Sequence, residues 1–291
     1  MLSRLRVLAA ALGSVVALAA ASAAAAQAAP PVVPIRPVKI VLVGDSTTAV
    51  IGGWGPSFCA RQVTSTVACL NLGRGGRSSG SYRAEGSWRV ALGELRAPGY
   101  ERRYVLIQFG HNDQPGKPGR STDLATEFPA NLRAYVQEAR AVGAIPVLLT
   151  PLTRRQFVDG RLQNDLEPWA DATRRVAAEL RVPLVDLNAE SVAAVQAMGP
   201  GPAMRFAQVE PSPQVRAAAA TGTTIAASTG VAPAPGATAT TQDNASVEPQ
   251  GQAKLAFDYT HLGGEGADYF AAMVTRLLAR VAPDLRRNLV P

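Results

Sequence analysis

The 291-residue sequence predicts a three-layer α/β/α fold: a five-stranded parallel sheet with helices on both faces. Three observations carry this. Short runs rich in branched apolar residues recur at 39–43 (KIVLV), 66–71 (TVACLN), 104–109 (YVLIQF), 145–150 (IPVLLT) and 182–187 (VPLVDL). Almost every position in them is apolar, the pattern of a strand covered on two faces rather than one. Helical periodicity fills the intervals, and a βαβα alternation buries itself as a parallel sheet between helices.

Ahead of the first strand, Arg4 and Arg6 precede an uncharged stretch, 7–26, that ends in Ala26-Gln27-Ala28. That order of charged, apolar and small-residue segments predicts a signal peptide over 1–28. Alanine dominates the second half of the stretch and gains little on transfer to lipid, which argues against a retained membrane anchor. A Pro-rich linker, 29–37, follows, so the mature chain is expected to begin near Ala29, secreted or periplasmic, with no stable membrane insertion after cleavage. In an oxidising compartment Cys59 and Cys69 are expected to form a disulfide, the alternative being two small buried side chains on the first helix and second strand.

The remaining elements follow in order. Phe128, Leu132, Val136 and Ala139 recur at helical spacing, 167–180 repeats the pattern, and 267–281 (ADYFAAMVTRLLARV) reads as a final amphipathic helix. Between the last two, residues 199–251 are Ala, Thr, Pro, Gly and Gln with few large apolar side chains, and are expected to form a disordered insertion in one domain spanning 38–291.

Composition narrows the function. With 47% apolar and 18% charged residues the chain can bury a core and is neither collagen-like nor disulfide-dense. Two histidines and two cysteines do not supply an ordinary zinc site, so neither metal nor cofactor is expected. The net charge is +7, but the basic residues are scattered and not interleaved with aromatics, so no nucleic-acid partner is expected, and the chain is read as a monomer.

Four blocks carry chemistry. The first strand runs into Gly44-Asp45-Ser46-Thr47, and the turn after a strand's carboxyl end borders the ligand crevice of a doubly wound sheet. A serine there, at the start of the next helix, is placed to attack and to offer its own N–H to a developing oxyanion. The second strand leads into Gly75-Gly76-Arg77-Ser78-Ser79, where glycines let a bare backbone N–H approach a ligand. The third leads into Gly110-His111-Asn112-Asp113, whose Asn112 amide offers two donors. Just before the last helix stands Asp258-Tyr259-Thr260-His261; at i and i+3 a carboxylate can hold Nδ1–H while Nε2 faces the crevice. His111, adjacent to Asn112, is read as a brace for its loop rather than the base. Arg77, Arg83 and Arg89 form a candidate anion-attracting group, and Trp54 and Trp88 are candidate sugar-stacking rings, with Trp54 the more suited to packing.

On these four blocks, in this order, the chain resembles the SGNH (GDSL-type) hydrolases, and within them the rhamnogalacturonan acetylesterase group of carbohydrate esterases. The resemblance implies a flavodoxin-like sheet and a serine esterase in which Ser46 is the nucleophile, His261 the base and Asp258 its orienter. It implies an oxyanion hole made by the N–H groups of Ser46 and Gly76 and the Asn112 side chain, with Gly75 the competing donor. Residues 150–155 (TPLTRR) would form part of the rim, making Arg154, with Arg77 and Trp88, a candidate substrate contact. The implied substrates are O-acetyl groups of plant polysaccharide, rhamnogalacturonan first and xylan second, or small esters. Two alternatives stand beside this: a secreted lipase, lysophospholipase or aryl esterase, and a non-catalytic carbohydrate-binding protein on the same fold.

Overall fold

The computed structural model describes residue 32 and residues 34–226 and 256–290. The expected signal peptide (1–28), residues 29–31 and 33 of the expected linker and the stretch 227–255 lie outside the described residues. The chain from Ile35 onward is one of the two units into which its contacts divide it, and the architecture is that of this unit.

The five apolar runs become β1 (Val38–Gly44), β2 (Val67–Asn71), β3 (Arg102–Gln108), β4 (Ile145–Leu149) and β7 (Leu184–Val185). They form one parallel sheet in the order β2-β1-β3-β4-β7. The strands between in sequence, β5 (Phe157–Val158) and β6 (Arg161–Leu162), make a separate antiparallel hairpin. Its turn has Asp159 and Gly160 at positive φ, as a two-residue hairpin loop requires.

Alternate residues of each strand enter opposite cores, which is why the strands read as continuous apolar runs. Ile40, Leu42, Leu106, Val147 and Leu149 pack with α1 (Gly55–Arg61), α6 (Leu187–Met198) and α9 (Gly264–Val281). Val41, Val43, Val105, Ile107 and Leu148 pack with α3 (Ser87–Arg96), α4 (Glu127–Ala141) and α5 (Glu167–Leu180) on the other face. The charged member of the first run, Lys39, is buried because its ammonium lies 2.7 Å from Glu94 and over the Tyr100 ring. The last strand is only two residues long, since Asp186 turns to cap α6 and the chain leaves the sheet. A disulfide between Cys59 and Cys69 joins α1 to β2.

The expected disorder of 199–251 is corrected for residues 199–226, which are folded. They contain α7 (Pro200–Ala203), a 3₁₀ turn (Met204–Phe206) and α8 (Pro213–Ala220), each of the two helices begun by a proline in its first turn. The apolar side chains there are few but concentrated: Met204, Phe206 and Val215 are buried, Phe206 between Tyr269 and Phe270. Average composition hid them. Gly222 and Thr224 bond to the β5–β6 hairpin, and Phe206 accepts the Gly263 N–H, so the segment backs the turn that carries His261.

From β1 the chain goes out to β2 and returns on the opposite side as β3, so the sheet's switch point lies between β1 and β3. Their last residues, Gly44 and Gln108, are register partners. The Ser46 and Asn112 loops therefore leave adjacent strands at the same edge.

Candidate active site

Ser46 is buried in a turn directly beyond β1. Expected at a helix start, it instead occupies a single helical turn in which the Thr48 and Ala49 N–H groups both bond to the Asp45 carbonyl, and α1 begins only at Gly55. Asp45 shapes this turn: its Oδ1 accepts the Thr47 N–H at 2.9 Å and the Thr47 hydroxyl at 2.8 Å. Its Oδ2 lies 3.3 Å from Nδ1 of buried His111. Burial alone would raise the Asp45 carboxyl, but His111 and the bonds from Thr47 outweigh it and hold it low. Burial, opposed by Asp45, pushes the His111 imidazole toward its neutral form. Thr48 and Trp54 both donate to Gln108 Oε1, at 2.8 and 2.7 Å, which ties the serine turn to β3 and makes Trp54 a packing residue.

Beyond β2, residues 74–77 form a tight turn closed by Arg77 N–H to Arg74 carbonyl, with Gly76 at φ +73, a conformation that favours glycine. Beyond β3, Asn112 Nδ2 donates to the Arg77 carbonyl at 3.0 Å, so the two predicted oxyanion segments are bonded to each other. One amide hydrogen of Asn112 is used there, which leaves the other for a ligand. Asp113 anchors the same junction from beneath, accepting the Ser79 hydroxyl at 2.6 Å and the Thr122 hydroxyl at 2.8 Å. Burial raises its carboxyl to about 6 against the pull of those bonds.

His261 Nδ1 lies 2.6 Å from Asp258 Oδ2, while Oδ1 accepts the backbone N–H groups of Thr260 and His261 at 2.7 and 2.6 Å. Burial would raise the Asp258 carboxyl, but hydrogen bonding and charge from His261 and the two amides bring it down to about 2. The imidazole rests on the serine's own loop: the Leu262 N–H bonds to the Gly52 carbonyl at 2.9 Å, and a Cβ placed on Gly52 would lie 3.2 Å from both Cβ and Cδ2 of His261. Four segments far apart in sequence are thus joined in a chain: 74–79 to 110–113 through Asn112, 110–113 to 44–52 through His111 and Asp45, and 44–52 to 258–262 through Gly52.

Arg155 was legible in the sequence only as rim, yet it is fully buried and fastens the fourth segment. Its guanidinium donates to the carbonyls of Asp258 (3.1 Å), Thr260 (3.2 Å) and His261 (2.9 Å). Burial, opposed by Asp258, lowers its pKa to about 10. Nothing in the sequence spacing links position 155 to position 258.

The other predicted contacts separate. Trp88 is in the core, its indole N–H donating to Glu138 at 2.6 Å and its ring edge-on to Tyr135, so it is not a sugar platform. Arg77 is buried too, bonded to Glu85 and to the Gly75 carbonyl, and Arg83 is paired with Glu138; the expected anion-attracting arginine group is therefore internal bracing, with Arg89 left exposed on α3. Arg154, half-buried, donates to Gln114 and pairs with Asp165.

The model described as the GDSL-like lipase/acylhydrolase family matches residues 42–215, a span that holds Ser46, Gly76 and Asn112 and stops before Asp258 and His261. Rhamnogalacturonan acetylesterase RhgT of Bacillus subtilis (strain 168) is 36% identical over 177 residues, 58% of this chain and 73% of that protein. Probable rhamnogalacturonan acetylesterase YesY of the same strain is 34% identical over 161 residues, 53% of this chain and 72% of that protein. Among solved structures, protein YXIM of Bacillus subtilis superimposes with a TM-score of 0.58 at 21% identity, over 85% of this chain and 57% of that one, a likeness of fold.

Proposed function

The chain belongs to the GDSL-like lipase/acylhydrolase family and is a carboxylic ester hydrolase, and from that premise we propose that it removes O-acetyl groups from plant cell-wall polysaccharide, rhamnogalacturonan before xylan. The observation that carries this reading is the Asp258-oriented imidazole of His261 seated on the loop of Ser46. His261 takes the Ser46 proton as Oγ attacks the acetyl carbonyl. The oxyanion is held by the N–H groups of Ser46 and Gly76 and by Asn112; as the bond from the acetyl carbon to the sugar oxygen breaks, His261 gives its proton to that oxygen and the acetyl group stays on Ser46. Water activated by the same imidazole then releases acetate. The names of RhgT and YesY support the acetylated pectic substrate. The charged-apolar-small order of residues 1–28 and the Cys59–Cys69 disulfide support a secreted or periplasmic protein.

Val50 and Ile51, exposed on the loop that follows Ser46, favour a second reading in which the ester carries an apolar acyl or aryl group. One panel separates the two: acetate release from acetylated rhamnogalacturonan and xylan beside hydrolysis of short- and long-chain p-nitrophenyl esters. The proposal expects acetate from rhamnogalacturonan first, abolished by Ser46→Ala and by His261→Ala. Preference for the long-chain esters selects the second reading. A Ser46 that neither supports turnover nor takes a fluorophosphonate label would leave a binding protein.

A further inference from the structure

The carboxyl edge of the sheet also carries a cation that no carboxylate among the described residues pairs directly. Several buried or half-buried cations have carboxylate partners: Lys39 has Glu94, Arg77 has Glu85, and Arg174 has Glu167, Asp171 and Asp186. Lys117, half-buried in the loop beyond Asn112, differs. Among the described residues its ammonium has no hydrogen-bond acceptor and no carboxylate within ion-pair distance.

The loop around Lys117 is built rather than slack. The Lys117 N–H donates to Ser121 Oγ at 2.9 Å, Ser121 Oγ donates to the Gln114 carbonyl at 2.8 Å, and the Arg120 N–H bonds to the Lys117 carbonyl. Gln114 Oε1 accepts from Arg154 Nη2 at 2.8 Å, which draws a second cation, from the loop beyond β4, against the same loop. One carboxylate, Asp165, answers Arg154. Both cations lie near enough to buried His111 for their charges to disfavour its protonation, and Asp45, the residue before Ser46, acts on Lys117 in turn. Burial, with Arg154 and Arg120 beside it, lowers the Lys117 pKa, a cost that a bound anion relieves.

We propose that Lys117 and Arg154 form a carboxylate-binding subsite at the rim of the crevice, where a uronate of the polysaccharide docks and so sets which acetyl group meets Ser46. This rests on the polysaccharide deacetylase reading. A planar guanidinium fixed by Gln114 and Asp165 supplies direction, and the unpartnered ammonium supplies charge.

The test compares acetylated rhamnogalacturonan oligosaccharides with the same oligosaccharides after carboxyl reduction. In the wild type kcat/KM is expected to be about tenfold higher on the acidic form, mainly through KM, an advantage that fades with added salt. Lys117→Met should bring the ratio close to one and Lys117→Arg should restore it. Equal rates on the two forms in the wild type, or a ratio unmoved in Lys117→Met, overturn the subsite and leave the deacetylase standing. Acetate from neither form overturns the deacetylase instead. The subsite is then read from competition: deacetylated acidic oligosaccharide should inhibit p-nitrophenyl acetate hydrolysis by the wild type more strongly than by Lys117→Met, and equal inhibition overturns it.

Discussion

Asp258 grips His261 twice, its Oδ2 2.6 Å from the imidazole Nδ1 and its Oδ1 2.6 Å from the His261 backbone nitrogen. Ring orientation and turn conformation are thereby set by one carboxylate, which the three-residue spacing allows and longer spacing would not.

Asp258→Asn should lower kcat on p-nitrophenyl acetate by on the order of 10² to 10⁴, because the amide presents an N–H where the imidazole needs an acceptor for its own. Stability carries a second signature. The folded-state value of about 2 lies below the 3.8 of an unperturbed carboxyl, so the stabilisation is present above pH 3.8 and lost as pH falls through 2. Denaturant midpoints of wild type and variant should converge over that interval.

Arg155→Met should destabilise the fold and misplace His261 together, since three carbonyls lose their donor in the interior. Each buried group left unsatisfied costs roughly 1–3 kcal/mol, so a large fall in the denaturation midpoint is expected. Arg155→Lys should recover part of it. A kcat on a small ester that stays at the wild-type level in folded Arg155→Met would sink the positioning role.

At Gly52, φ is +87 and a methyl group would crowd the His261 ring, so Gly52→Ala combines backbone strain with displacement of His261. Its stability loss should be on the order of 1 kcal/mol. The decisive measurement is kcat, which should fall by more than the loss of folded protein explains.

Asn112→Ala should cost on the order of 10² to 10³ in kcat through loss of one oxyanion donor. Asn112→Asp should give no rescue, because a carboxylate has no hydrogen to offer. Titrating burst kinetics on an activated acetate ester would separate slowed acylation from weaker binding.

Asp113 titrates in the opposite sense to Asp258. With its folded-state value raised to about 6, the protonated form is favoured by folding, so its contribution is greatest below pH 3.8 and is lost as pH rises through 6. Infrared spectra should show a protonated carboxyl band that disappears with a midpoint near 6 and is missing in Asp113→Asn.

The sheet and the chemistry-bearing blocks were readable because each rests on local pattern. Ile40 and Val41 face different cores, so a strand between two helix layers must be apolar throughout, and the turns after three such strands had to share one edge. Residues 199–226 were misread for the converse reason: Phe206 and Val215 are isolated in sequence and gain meaning only from distant partners, Phe206 from Tyr269 and Phe270 and Val215 from Tyr259. Trp88 and Arg77 were misread because exposure is not a property of residue type; their polar atoms are satisfied by Glu138 and Glu85, which lie on other turns of the fold.

Sequence alone determined the layered α/β/α architecture, the order of its strands along the chain, and the identity of Ser46, Asn112, Asp258 and His261 as candidates, since periodicity and short motifs depend on neighbours within a few residues. The tertiary structure alone decided that Gly52 is the seat of the imidazole, that Arg155 clamps its turn, and that Lys117 has no ion-pair partner among the described residues. Those relations join residues more than two hundred positions apart in the case of Gly52 and His261. They follow from which loops share an edge of the sheet, and spacing along the chain carries no trace of that.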